Sequence, residues 1–472
     1  MGTGIKHFSR NLLFLSCSQF LSIFVGISTS LLVPKILGVE QFSFWQLFLF
    51  CASYVGFFHF GLNDGIYLRY GGMTFEKMNI SLLGSLFWFS FFMQICFALL
   101  IVVITVVFVP NLDRVFVGIS VSFFLILSNV VNYLSYILQT SNRLREYSYS
   151  ILIDRFTFFL FFLFLLLVNQ INFKILILAY IFSKLLSFLF LIYCMPSLVR
   201  SKLLPVNVIW RECIYNIKIG VFLLISNLAG MFIVGAGRVI IDYFWGIEEF
   251  GKVSLAISLA NIFLLFISQI SLVLFPMLRQ VDAVKQKEIY MLGRYCLGNI
   301  LLFFFILYYP LKIILLKWLP QYEISFYYLI ILLPICLFDG KMQMLYSTYL
   351  KVLRGEKFLL KINVVSVLIS SILGLLGGYL WNNMDVVIFS MLLAVAVRSV
   401  CAELYVSKLL GVTDYWELFA ELSLVMTFVI TSLCCVYPWN IIIYICVYLV
   451  YVWFRKDAIY LIFCRVCKFF QK

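Results

Sequence analysis

Two stretches set the terms for this chain. Residues 94–109 read QICFALLIVVITVVFV and residues 156–168 read FTFFLFFLFLLLV. About 20 apolar residues span a bilayer as a helix. Only helices and closed barrels satisfy their own backbone polar groups in lipid, and a barrel strand alternates over ~10 residues. These runs are continuous, so they read as helices. Composition agrees: 64% of the 472 residues are hydrophobic and 12% are charged, whereas a soluble domain carries about a quarter charged residues. The expectation is an all-α polytopic membrane protein of about fourteen spans, near 12–33, 42–62, 80–109, 115–138, 149–168, 175–195, 217–241, 252–276, 292–316, 323–345, 359–380, 386–407, 418–437 and 440–462. A twelve-span count, with the last pair lying differently, stays open. The first span has the basic flank Lys6 and Arg10, but its apolar run is too long for a signal peptide and LLVPKILG offers no cleavage site. It is read as a retained helix.

The net charge of +14 could point to nucleic acid, but its distribution does not. With the amino terminus inside, 23 of the Lys and Arg fall in inner segments and six in outer ones. That asymmetry is the positive-inside rule. It gives an N-in/C-in topology and removes nucleic acid from the partners. The thirteen cysteines are scattered, mostly within spans, and no framework lies in the outer loops to suggest disulfides. Cys464 and Cys467 have CxxC spacing but no second pair, and read as membrane-edge cysteines. With only His7 and His59 available, no metal site is expected.

The chain also repeats itself. GVEQF at Gly38–Phe42 recurs as GIEEF at Gly246–Phe250, an offset of 208; RLREY at Arg143–Tyr147 is echoed by LRGEKF at Leu353–Phe358, with Arg145 and Arg354 209 apart. The offset skips six spans. An even number preserves direction through the membrane, so the halves are parallel repeats about an axis along the membrane normal. The expected organisation is an N-terminal six-helix bundle (1–196), a cytoplasmic linker (197–216), a C-terminal six-helix bundle (217–410), and two extra helices with a basic tail (411–472). Two such bundles suit alternating access to a shared cavity. Residues 246–252, GIEEFGK, match GxxxxGK, but Val253 stands where a phosphate loop needs Ser or Thr and no strand precedes it. The match is set aside.

A charge near the bilayer centre costs at least ~2.5–3.5 kcal/mol and faces a partner or a watery cavity. Lys184 and Arg398 sit near the middles of spans 6 and 12, equivalent helices of the two halves. They are read as a pair of substrate-binding cations suited to a diphosphate. The alternative is that each is a structural charge neutralised within its own bundle, with Glu403 as the visible partner for Arg398. Arg238, Arg155 and Lys341 are further substrate-binding candidates. Arg238 and Asp242, four apart, can meet on one helix face. The adjacent Asp154 and Arg155 face different neighbours. Asp339 and Lys341 lie near the inner end of span 10. Asp64 and Arg69 fall in GLNDGIYLRYGG, read as a glycine-rich loop forming a mobile inner gate, with an ordinary solvated turn as the alternative.

Three stretches carry a family resemblance: LLVPKILGVEQFSFWQLFLFCASYVGFFHFGLNDGIYLRYGG after the first helix begins, GRVIIDYFWGIEEFGKVSLAISLANIF at spans 7–8, and LFPML closing span 8. In these the chain resembles the flippases for lipid-linked O-antigen and related polysaccharide repeat units, within the multidrug/oligosaccharidyl-lipid/polysaccharide exporter superfamily. The likeness runs through span 12, on diffuse patterns. The position before the GRVIID arginine is often acidic in the family and is Gly237 here. The resemblance implies twelve to fourteen helices in two bundles in a bacterial inner membrane. It implies a non-enzymatic job: moving an undecaprenyl-diphosphate-linked oligosaccharide from the cytoplasmic to the periplasmic leaflet, for a polysaccharide polymerase to use. No cofactor is implied. Coupling to H+ or Na+ is left open, with Asp154, Asp242 and Glu403 as candidates. The rivals are an ion-coupled drug or cation exporter of the same superfamily, a flippase for cell-wall precursor, and a multi-span O-antigen polymerase or ligase. The last needs a large outer loop that the sequence lacks.

Overall fold

The computed structural model describes residues 2–278, 282–412 and 414–456, and CxxC at 464–467 lies outside them. Among the described residues every regular element is helical. Among the described residues ten helices are long and apolar enough to cross a membrane, or eleven if one pair bent by 47° counts as a single span. The chain divides into two compact units, Met1–Leu228 and Ala229–Lys472.

The first unit begins with α1 (Gly2–Tyr54), which holds the first two expected spans. They are separated by a single non-helical residue, Gly38, at φ 74 and ψ 177. Only glycine adopts that conformation cheaply. The repeat copy does the same work: Gly246, at φ 87, separates α8 (Val206–Trp245) from α9 (Ile247–Leu278). The second echo does not keep its register: Arg145 is already inside α5 (Leu144–Val168), whereas Arg354 lies at φ 56 in the turn before α14 (Glu356–Tyr379), and the positive-φ residue before α5 is Asn142.

Asparagine begins several spans. Asn79 caps α3 (Ile80–Phe108), Asn111 caps α4 (Leu112–Thr140) and Asn172 caps α6 (Phe173–Cys194), each accepting from an amide three residues on at 2.8–3.0 Å. These oxygens satisfy amide donors that helix ends otherwise leave unpaired. Leu99, Val107, Phe108 and Leu167 are exposed, as lipid-facing side chains should be. Of the stretch read as a linker at 197–216, residues 196–199 form the short α7 and residues 206–216 are already the first turns of α8.

The reading of GLNDGIYLRYGG as a loop is corrected: Leu62–Tyr70 is a helix, α2. It follows a 3-10 turn (Val55–His59) across a break at Phe60 (φ 50) and Gly61 (φ 88). Its glycines serve packing rather than flexibility. Gly61 and Gly65 form a G-x-x-x-G stripe, a pattern that lets backbones approach closely. A Cβ on Gly65 would lie 1.9 Å from the Asn216 carbonyl oxygen on α8, and one on Gly220 of α8 would lie 2.0 Å from the Gly61 carbonyl oxygen. Nor is the segment a solvated turn, since Asn63 and Asp64 are buried. The carbonyls freed at the break are taken up by side chains. Asn129 of α4 donates to Val55 O and Gln94 of α3 to Phe58 O, at 2.9 and 3.0 Å.

The second unit continues with α10 (Ala283–Trp318), α11 (Glu323–Leu332), α12 (Ile335–Lys341), α13 (Ser347–Val352), α14, α15 (Met384–Leu410), α16 (Tyr415–Cys434) and α17 (Trp439–Phe454). The tenth expected span is discontinuous. Pro334 separates α11 from α12, and a π turn at Met342–Tyr346 follows Lys341. Irregular helix of this kind gathers at functional positions. The C-terminal pair, read as an appendix, instead packs on α10, and α16 also on α11, with Glu417, Glu421, Tyr444 and Tyr451 buried.

The close approach of α2 to α8 is directly testable. Gly65→Ala should force the helices apart at a cost of about 1–3 kcal/mol, lowering the melting temperature of the detergent-purified protein. Gly56→Ala, with open space around its Cβ, should leave it unchanged.

Candidate functional site

Each unit buries a cation against an aspartate. In the first, α5 and α6 bring Lys184 Nζ to 2.6 Å from Asp154 Oδ2, while Ser183 Oγ donates to Asp154 Oδ1 at 3.1 Å. The side chains of Lys184 and Asp154 are 15% and 6% exposed. Arg155, one residue on, faces elsewhere and donates to the Tyr180 hydroxyl at 3.4 Å. Tyr180 is packed edge-on among Trp45, Phe48 and Phe158, so the guanidinium meets a rigid aromatic wall.

In the second unit, Arg398 of α15 pairs with Asp339 of α12 through Nη2, and Nη1 reaches the Gly230 carbonyl of α8 at 3.4 Å. Gly230 leaves room for this: a Cβ there would sit 3.1 Å from Nη1. Arg398's partner is therefore Asp339, which corrects the expected Glu403. The correction has a geometric cause: Glu403, five residues along α15, faces a different set of helices. Arg238 donates to Ser254 Oγ at 2.7 Å and lies over the Phe250 ring at 4.8 Å. Asp242, one turn further along α8, is half-buried.

Glu403 belongs to a buried charged network assembled from α10, α12, α15, α16 and α17. Its Oε1 lies 2.5 Å from Arg294 Nη2, and its Oε2 accepts from the Tyr346 hydroxyl at 2.5 Å and lies 3.8 Å from Lys341 Nζ. Lys341 donates to both oxygens of Glu421, one of them at 2.5 Å. Four residues back on the same face of α16, Glu417 accepts from the Tyr451 hydroxyl at 2.7 Å and pairs with Arg455. Arg455 also reaches Asp414 Oδ2 at 3.1 Å. Lys341 is 1%, Arg294 3%, Glu403 3% and Glu417 0% exposed. Gly298 makes space for the carboxylates, since a Cβ there would lie 2.5 Å from Glu421 Oε1.

Sequence reasoning singled out Lys341 and Glu403 but did not join them. It missed Arg294, Glu417 and Glu421. Arg294 was counted as a loop cation, although α10 is helical from Ala283. The available signal was the i, i+4 pair Glu417 and Glu421 inside an apolar span, which demands buried cations elsewhere.

Arg69 and Asp64, the expected gate pair, are not joined to each other. Arg69 Nη1 pairs with Glu212 of α8 at 2.6 Å. Asp64 is 6% exposed and accepts no hydrogen bond among the described residues. The group it meets is His59, whose Nε2 is 3.9 Å from Asp64 Oδ2.

No protein-family model matches the chain, and no curated protein matches it. Solved structures do. A multidrug-resistance MATE family transporter of the MOP superfamily in an inward-facing conformation aligns at TM-score 0.62 and 12% identity, over 84% of this chain and 94% of its own. The lipid II flippase MurJ, in an inward closed conformation, aligns at 0.59 and 15% identity, over 95% of this chain and 100% of its own. A MATE in complex with MaL6 aligns at 0.55 and 12% identity, over 85% and 96%. The chain thus has the fold of the MOP superfamily transporters.

The network gives a clear expectation. Lys341→Met strands the Glu421 carboxylate and should destabilise the protein by about 3–5 kcal/mol. Adding Glu421→Leu should restore most of that loss, read as thermal unfolding of the purified protein. Simple addition of the two losses would contradict the pairing.

Proposed function

We propose that the protein is a flippase that carries undecaprenyl-diphosphate-linked O-antigen or related polysaccharide repeat units from the cytoplasmic to the periplasmic leaflet by alternating access. The observation that carries this reading is the pair of buried cation–aspartate contacts, Lys184–Asp154 and Arg398–Asp339, one in each unit. Each cation sits on the sixth span of its half. A bare cation in a bilayer is costly, so the aspartates hold these charges while no substrate is present. A diphosphate offers more negative charge and more acceptor oxygens than one carboxylate. It can displace Asp154 or Asp339, bind Lys184 or Arg398, and hand the cation back on leaving. Arg155 and Arg238 are assigned supporting contacts; Lys341, read from the sequence as a further substrate cation, is 1% exposed and committed to Glu421, so it is assigned none.

The fold likeness to a lipid flippase over nearly the whole of this chain supports the same reading. The polymerase or ligase alternative has no counterpart among the similar structures named above, which are transporters and a flippase. A drug or cation exporter remains the second reading, because a multidrug transporter shares the fold at TM-score 0.62.

Deletion of the gene in its native host, followed by extraction of undecaprenyl-linked intermediates, separates the two. Single repeat units should accumulate and surface polymer should disappear. Wild type should restore polymer, while Lys184→Ala and Arg398→Ala should each restore at most about a tenth, the loss expected when a charge-assisted contact of about 1.5–3 kcal/mol is removed. Unchanged surface polysaccharide in the deletion strain would overturn the assignment in favour of drug or ion export.

A further inference from the structure

Of the acidic side chains discussed above, Asp154 and Glu403 are held by cations. Asp64 is not. It lies in the first turn of α2, just past the break at Phe60–Gly61, and is pressed against α8. A Cβ on Gly220 would fall 3.0 Å from the Asp64 Cβ. It is 6% exposed. The geometry of its neighbour is informative. His59 Nδ1 accepts the Gly61 amide proton at 3.0 Å. A neutral imidazole carries one proton, so that proton must be on Nε2, the nitrogen facing Asp64. The 3.9 Å separation of Nε2 from Asp64 Oδ2 is too long for a hydrogen bond and short enough to close by a small movement.

We infer that Asp64 is a proton-binding site whose charge sets whether α2 is tied to His59 across the helix break. Ionised Asp64 accepts the Nε2 proton and closes the gap. Protonated Asp64 has no need of that donor, and the gap opens. The step takes one proton from water onto one carboxylate oxygen and needs no other reactant. A proton suits the site better than sodium, because a metal cation needs several oxygen ligands and the His59 N–H would point at it.

The other groups facing this position are accounted for. Asn63, on α2 itself, donates to the Asn129 carbonyl of α4 at 3.0 Å. The Asp64 charge also reaches Tyr136 of α4. On α8, Glu212 is bound by Arg69 at 2.6 Å, and Lys218 is exposed. None of these supplies a compensating positive charge. Burial pushes the Asp64 carboxyl up to about 6. The sign follows: the folded protein holds this proton more tightly than the unfolded chain, so the site favours folding below that pH, and the contribution is lost as pH rises through it. The site stands without the transport reading, whereas its use to couple a proton gradient to transport rests on that reading.

The test uses the purified full-length protein without substrate. Infrared difference spectra between pH 8 and pH 5 should show a buried carboxylic acid band with its midpoint near pH 6 in wild type that is lost in Asp64→Asn. His59→Leu removes the donor to the carboxylate and should move the midpoint up by about one pH unit. Thermal stability of wild type relative to Asp64→Asn should rise as pH falls from 7 to 5. Wild-type and Asp64→Asn spectra with the same carboxylic acid bands, or a midpoint indifferent to His59→Leu, would overturn the proposal. So would sodium abolishing the band at fixed pH, which would make Asp64 a sodium ligand. If Asp64→Asn does not fold, the His59→Leu midpoint and the sodium titration still decide. Because no transport is measured, failure of the flippase reading would leave these outcomes untouched.

Discussion

Lipid cannot solvate a charge or an unpaired backbone group, and much of this structure follows from that constraint. Each long helix satisfies its own amides and carbonyls, and asparagines close several of the ends. Where the helical ladder breaks, at Phe60–Gly61, Asn129 and Gln94 reach in from neighbouring helices to replace what is lost. Where charges enter the apolar segments, most meet an opposite charge, Lys184 with Asp154, Arg398 with Asp339, and Arg294 and Lys341 with Glu403 and Glu421, while Arg155 and Arg238 meet hydroxyls. In this setting an ionisable group without a partner stands out, which is why Asp64 draws notice.

The same constraint suggests how such a protein could do work. A charge pair inside a membrane is stable only as a pair, so anything that replaces one member can release the other. For Lys184 and Arg398 the replacement is proposed to be the diphosphate of a lipid-linked sugar. The Glu403–Lys341–Glu421 network is different in kind. Its charges are opposed across α10, α12, α15 and α16 and nearly fully buried, which suits holding the second unit rigid rather than exchanging partners. Asp339 and Lys341 lie two residues apart on α12, so helical periodicity turns them to different faces and into separate contacts, one in each role.

Local grammar was legible in the sequence. Apolar runs gave the helices, and the repeated GVEQF and GIEEF marked two turns that both fold through a positive-φ glycine, Gly38 and Gly246. What stayed hidden was pairing between distant segments. Nothing in the local sequence says that Arg398 meets Asp339 rather than Glu403, because the choice depends on how α12 and α15 rotate about their axes. GLNDG was misread for a related reason. Two glycines four residues apart look like a flexible loop until a facing glycine, Gly220, is brought against them by the fold. Glu417 and Glu421 were passed over because the segment containing them was treated as an addition to the bundle, although they complete a network begun more than a hundred residues earlier at Arg294.

The central claim is that the protein moves a lipid-linked diphosphate between leaflets. The most direct measurement reconstitutes the purified protein into vesicles containing a fluorescent undecaprenyl diphosphate sugar. An impermeant reductant then quenches only what the outer leaflet holds. The account expects the inner-leaflet pool to become quenchable with wild type and to stay protected with the Lys184→Ala, Arg398→Ala double variant. Equal protection in wild-type and protein-free vesicles would contradict it.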